Sequence, residues 1–350
     1  MHLVGVFLED GRVLILRGVD AGAGVILHSR GVLAESWREG ITVVGEGDEQ
    51  YEVEAVNLQY EKYICNSTLP NFPLTAKGLA GAFIGGEPIV CGGRREDDSD
   101  GCWSLNANRT AWEETVGYPH GAVGYMGSLV LTEGQWWLSG GSIRAEGNER
   151  PKVISESAIY TGLGVFESGP ELPIPLEAHC AAKINSSHFF VGGGKTAEQE
   201  SSDRSWLMRA DDQFPFFHWE ELDAMPFSRF GHFCHFNPVK KEIHVGAGRA
   251  EGSDSDLTKK TAILDLETLQ WRVGTDFPRG NSYLSYPGYV EDEGDFVTLG
   301  GDDIWPGYKN ILGFYNDARD EYYLDPTRGM VEGRAGMAAF KVPDAVAPCN

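Results

Sequence analysis

Short apolar runs that end on paired glycines recur along the chain: Ile89-Val90-Cys91-Gly92-Gly93, Trp137-Leu138-Ser139-Gly140-Gly141, Phe189-Phe190-Val191-Gly192-Gly193-Gly194, Ile243-His244-Val245-Gly246-Ala247-Gly248 and Phe296-Val297-Thr298-Leu299-Gly300-Gly301. Upstream, Ile41-Thr42-Val43-Val44-Gly45-Glu46-Gly47 has a related form. Apolar runs this short, bounded by turn residues, predict strands. The six stations stand roughly 50 residues apart, the length of a four-stranded propeller blade.

From Ile41 onward each unit predicts two strands before and at the glycines, a polar loop, a third strand, a tight turn and a fourth strand that often carries an aromatic. Val56 and Tyr63, Leu105 and Trp112, Leu264 and Trp271, and Tyr315 and Tyr322 are each about seven residues apart, with Tyr160 and Phe166 close to that spacing. The unit ending at Trp219 lengthens the turn.

Paired glycines closing a second strand, an apolar or aromatic third strand and a Trp on the fourth resemble the kelch repeat over residues 41–343. The resemblance implies an all-β, six-bladed propeller in which glycines let backbones pass closely beside the axis and the Trp and Tyr side chains fill the wedges between blades. The run Cys65, Asn71-Phe72-Pro73, Cys91-Gly92-Gly93 and Cys102 resembles secreted kelch-only proteins of invertebrates, and no BTB or BACK region precedes it.

The last glycine pair leaves one strand over, at residues 335–342. It is expected to pair with residues 41–44, whose blade continues through residues 51–58 and 62–65, so that the C-terminal strand and N-terminal strands close the sixth blade and leave no free edge. Residues 41–350 then form the propeller and residues 1–40 an N-terminal extension, in which residues 3–8 and 13–16 predict a hairpin around Glu9-Asp10-Gly11.

Composition agrees with a folded, turn-rich β protein: 45 glycines, 41% hydrophobic and 11% aromatic residues. A formal charge of −23, from 29 Lys and Arg against 52 Asp and Glu, opposes approach to nucleic acid or anionic lipid. No apolar run reaches the roughly 20 residues that cross a bilayer, and the opening residues lack a secretory apolar region.

Six cysteines without a Cys-x-x-Cys spacing favour an oxidising compartment over zinc, hence a secreted or extracellular protein. Cys91 and Cys102 flank one polar loop and are expected to pair; a Cys65–Cys349 bond would staple the chain ends. Cys180 and Cys234 sit on inner strands of neighbouring units. Aligning His179 with His232 offsets them by one residue, so they are expected as buried thiols facing opposite sides.

The loops between second and third strands, at residues 94–101, 142–153, 195–202, 249–259 and 302–308, are long or polar and mark one face for binding. Arg94, Arg95, Arg144, Lys195 and Arg204 lie in or beside it with Trp305 and Tyr308, a set suited to carboxylates or sugars. Sequons at Asn108 and Asn185 fall in turns of the opposite face, and one at Asn66 follows a fourth strand.

His120, His179 and His232 take the same place in three consecutive units and could ligate a metal. Kelch first strands often begin with an Arg and a His that hydrogen-bond neighbouring loops, as Arg229 with His232, and that structural role is favoured. Asp97, Asp98 and Asp100, and Asp254 and Asp256, offer hard oxygen ligands for calcium, but the reading as solvated acidic loops is preferred.

Some kelch propellers, galactose oxidase and a sialic-acid epimerase among them, are enzymes. No Tyr, Cys and His set matching a copper radical oxidase can be placed here, and no nucleophile-elbow or P-loop motif is present. The reading is a non-catalytic extracellular propeller without cofactor, binding a protein or glycan through its long-loop face. The alternatives are a carbohydrate-active enzyme of oxidase or epimerase type, built on the three histidines and channel carboxylates, and a structural matrix component.

Overall fold

The computed structural model describes residues 70, 72–73, 77–94, 100–145, 150–210, 217–250, 257–281, 295–299, 301 and 311–329. It also gives the backbone of the strands Val4–Val6, Leu14–Leu16, Ile41–Glu46, Gln50–Val56, Ile64–Cys65, Ser285–Tyr289 and Ala338–Phe340. All regular structure among these residues is β.

Five antiparallel four-stranded sheets follow one another along the chain. The first holds Lys77–Ile84, Glu87–Arg94, Gly101–Leu105 and Trp112–Gly117; the second Gly127–Thr132, Gln135–Ser139, Ser157–Tyr160 and Phe166–Ser168. The third holds Cys180–Lys183, His188–Gly192, Ser205–Ala210 and Phe217–Glu221; the fourth Phe233–Asn237, Glu242–Gly246, Thr261–Asp265 and Gln270–Val273; the fifth Ser285–Tyr289, Phe296–Leu299, Ile311–Asn316 and Glu321–Gly329. Within each, strands pair in sequence order, so the apolar run before the glycines is the second strand, as expected.

Side chains alternate between the two faces of each sheet, and the wedges between sheets are the core. Trp136 packs with Trp103 and Trp112 between the first and second sheets, whereas its neighbour Trp137 packs with Phe189 and Trp206 between the second and third. Phe189 and Phe190 divide in the same way, Phe190 joining Ile243 and Leu264 between the third and fourth. Phe233, Phe277, Phe296 and Tyr322 fill the next wedge. Two fourth-strand tryptophans have a satisfied indole N–H: buried Trp112 donates to the Pro70 carbonyl at 3.0 Å and half-buried Trp271 to that of Asp223 at 3.0 Å.

The first strands succeed one another in space, that of the first sheet beside that of the second, then third, fourth and fifth, and Val4–Val6 lies against the first strands of both the fifth and the first sheets. A backbone relay binds the first four. Tyr125 N–H donates to Gly78 O, Ala178 N–H to Tyr125 O and Gly231 N–H to Ala178 O, each at 3.0 Å. All four residues hold positive φ, 71°, 67°, 59° and 59°.

The sixth sheet runs Val4–Val6, Ala338–Phe340, Leu14–Leu16, Ile41–Glu46, Gln50–Val56, Ile64–Cys65. The C-terminal strand does join N-terminal strands, but it pairs with Val4–Val6 and Leu14–Leu16 and not with residues 41–44. Nor do the two N-terminal strands form a hairpin, because the C-terminal strand lies between them. The apolar stretch Leu14–Leu16 itself takes the edge of Ile41–Glu46 in parallel register, an edge otherwise left unpaired.

Cys91 and Cys102 form the expected disulfide, their Cα atoms 4.1 Å apart as directly opposed residues. Cys180 and Cys234 correct the expectation of thiols: they form a second disulfide, Cα atoms 5.8 Å apart, between the third and fourth sheets. The reason is parity. Adjacent sheets confront each other with opposite faces, so the one-residue offset that puts the two cysteines on opposite faces of equivalent strands is what turns them toward one another. Cys349 lies outside the described residues, as does the side chain of Cys65, so that pairing has no structural account.

Candidate binding face

The candidate face begins at the glycines. Gly140 and Gly141 have φ of 55° and 95°, Gly193 and Gly194 63° and 105°. The first glycine of each pair faces the next sheet, since a Cβ on Gly140 would meet Leu176 O and one on Gly193 would meet His232 and Arg229 O. The second turns back, so that a Cβ on Gly194 would stand 2.9 Å from His179 Cβ. The N–H groups of Gly141, Gly194 and Gly248 donate to Leu176, Arg229 and Asn281, at 2.8, 2.8 and 2.6 Å, each carbonyl just ahead of the next sheet.

This turn delivers one residue after the pair into a small secondary sheet. In the second unit Ser142–Ile143 is flanked by Val123–Gly124 and Lys152–Val153. The third repeats it with Lys195 bridged to Glu177 and Ser201, the fourth with Arg249 bridged to Phe230 and Leu257. The long two-to-three loops are therefore pinned at their roots by backbone hydrogen bonds, and side chains at Ser142, Lys195 and Arg249 are placed by rigid structure. The Ser142 hydroxyl donates to the buried Glu177 carboxylate. The Lys195 ammonium stands 5.4 Å from the Phe230 ring centroid, a cation–π contact.

Of the proposed ligand-binding residues, the structure describes the side chains of Arg144, Lys195 and Arg204. Lys195 is half-buried in its bridge and Arg144 exposed on the loop beyond Ser142–Ile143. Arg204 is turned outward into a two-pronged pair with Glu221, at 2.7 and 3.0 Å, over the Trp206 ring. That pair raises Arg204 and lowers Glu221 from their ordinary pKa. The Arg94 side chain, Arg95, Trp305 and Tyr308 lie outside the described residues, as do Asp97, Asp98, Asp254 and Asp256. Glu177, Phe230 and Arg249 were missed; the signal for Arg249 is its place directly after Ala247-Gly248, and that for Glu177 and Phe230 is their place two residues before His179 and His232.

The three histidines are not equivalent. Hydrogen-bond register matches His179 and His232 with Leu79 and Met126, six residues past His120. His120 instead bonds Ser157 O at 3.1 Å. His179 Nε2 bonds Ser139 Oγ at 3.0 Å, and burial pushes its pKa down to about 4. His232, packed on Gly193 and Gly248, is held well below its ordinary value by burial, then by the charge of Arg229. Among the described residues no three His, Cys, Asp or Glu side chains converge as a metal site.

Arg229 has the expected bridging role, donating to Ala247 O at 3.2 Å and Lys260 O at 2.8 Å from a fully buried position. Burial lowers it to about 10. The sequons at Asn108 and Asn185 stand exposed in turns on the far face. Asn185 Oδ1 accepts from the Ser187 and His188 N–H groups, both at 2.9 Å. Asn66 lies outside the described residues.

No family model matches the chain. Kelch-like protein 40 of Xenopus laevis is 26% identical over 176 residues, 49% of this chain, and the match spans 26% of that protein. The solved structure of YjhT superposes with a TM-score of 0.58 at 15% identity, covering 78% of this chain and 89% of the other. Sequence relative and structural neighbour together support the kelch-repeat resemblance of this chain.

Proposed function

We propose that the chain is a six-bladed kelch propeller working outside the cell as a non-catalytic binding scaffold, its partner a protein or glycan held on the two-to-three loop face. Five consecutive sheets and a sixth sheet built from both ends of the chain, with Val4–Val6 beside the first strands of sheets five and one, support the reading of six blades. The observation that carries the binding role is the repeated secondary sheet, which makes the roots of the loops rigid while leaving Arg144 exposed beyond them. Kelch proteins generally bind proteins, and loops held on a rigid scaffold commonly carry binding residues.

The two disulfides support an oxidising compartment, and glycans on Asn108 and Asn185 would load the far face and leave the loop face clear. No helix among the described residues is long and apolar enough to cross a membrane.

The test is binding of the secreted protein to a glycan array and to a panel of extracellular domains. A specific hit should weaken about tenfold, about 1.4 kcal/mol, when Arg144 and Lys195 are both changed to Ala. It should be unchanged in Arg204→Ala, whose guanidinium is already occupied. A hit insensitive to both would move the binding site off this face.

A further inference from the structure

The strands nearest the axis meet in succession. The first strands of the five four-stranded sheets lie each beside the next, and Ala338–Phe340 comes within 8 Å, Cα to Cα, of those of both the fifth and the first. On the six-blade reading it is therefore the innermost strand of the sixth blade. Val4–Val6 is placed differently. It pairs with Ala338–Phe340 in parallel, Val4 opposite Ala338 and Val6 opposite Phe340. It also comes within the same 8 Å of the first strands of the fifth, the first and the second sheets. A strand that is one member of a ring meets the member on either side; one that also meets the sheet beyond its neighbour lies inside the ring.

The sequence suits that place. Leu3-Val4-Gly5-Val6-Phe7-Leu8 is apolar without interruption and is followed by Glu9-Asp10, the pattern of a strand buried on both faces and ended by polar residues. The strands around it carry small residues: Gly78, Ala80, Gly81 and Ala82 in Lys77–Ile84, Gly127 and Ser128 in Gly127–Thr132, and Ala338 and Ala339 in Ala338–Phe340. Paired strands stand about 4.8 Å apart, and residues with little side chain let one more backbone approach that closely.

We propose that Val4–Val6 is an axial plug, a strand from the chain's own N-terminal segment that fills the central channel of the propeller and can leave it without opening the ring. The proposal rests on the six-blade reading. Ala338–Phe340 already meets the fifth and the first sheets, so the ring is complete without Val4–Val6, and among the described residues the plug's strand pairing is with Ala338–Phe340. While the plug is seated the axial route is shut, and the loop face is the surface offered to a partner. When it is withdrawn, Ala338–Phe340 presents an unpaired edge that accepts an extended apolar segment by strand addition.

Two full-length variants test this. In Val4→Cys, maleimide labelling of that position, read by peptide mapping, should be at least about 100-fold slower in the native protein than in the unfolded chain. In the double variant Val4→Asp and Val6→Asp, two charges oppose entry into an apolar channel. That chain should keep both disulfides and cooperative unfolding, and a synthetic peptide of the native residues 1–10 should bind it one-to-one and slow amide exchange in Ala338–Phe340. Labelling of Val4→Cys at the unfolded rate, in a protein that retains both disulfides and protected amides in Ala338–Phe340, would remove the plug and leave six blades standing. A double variant that does not fold would make Val4–Val6 part of the ring, and a folded one that ignores the peptide would show no channel to fill; either overturns the proposal. Unprotected amides in Ala338–Phe340 of the native chain would overturn the six-blade reading and the plug with it.

Discussion

Gly194 carries a φ of 105°, outside the range an L side chain adopts, and a Cβ there would press on His179 Cβ and Glu177 O. Gly194→Ala should therefore cost more than about 2 kcal/mol, read as a lower denaturant midpoint with unchanged slope. Arg229→Met removes the donors to the Phe227, Ala247 and Lys260 carbonyls and leaves the buried Ala247 O without its guanidinium partner. A loss of about 2–4 kcal/mol is expected, larger than for any exposed arginine. His179 adds a pH dependence. With a folded pKa of about 4 against an ordinary 6.5, the unfolded chain takes up protons that the folded one refuses. Its contribution is thus complete above about pH 6.5 and declines by about 3 kcal/mol as pH falls through 4. Urea titrations across that range should show the decline diminished in His179→Gln.

At the scale of elements, the two disulfides do different work. Cys91–Cys102 closes 11 residues within one sheet, whereas Cys180–Cys234 closes 54 and joins two. Chain entropy assigns them about 3 and about 4 kcal/mol. Replacing Cys180 and Cys234 by Ala should destabilise more than replacing Cys91 and Cys102, and peptide mapping without reductant should recover both bonds. The Cys91–Cys102 pairing was legible because both partners lie on adjacent strands of one unit, separated by a single loop. The Cys180–Cys234 bond was misread because strand parity was applied within equivalent sheets without the reversal of faces between neighbours. The histidines failed similarly: His120 matches the others in sequence order, but the hydrogen-bond relay through Tyr125 and Ala178 sets the register six residues later.

For the whole molecule, the repeat determined in advance that the chain is all-β, where each second strand ends, and that aromatic side chains fill the wedges. Those features are local: a glycine pair is needed wherever the chain turns beside a neighbouring backbone, whatever lies farther off. Which residues share a site was decided only by tertiary structure, because it depends on how sheets face each other. Glu177 meets Ser142 across 35 residues and His244 meets Tyr322 across 78, contacts between faces of different sheets that no spacing along one strand encodes. The partners of the C-terminal strand were decided the same way: it lies between Val4–Val6 and Leu14–Leu16, pairings that its own sequence pattern does not encode.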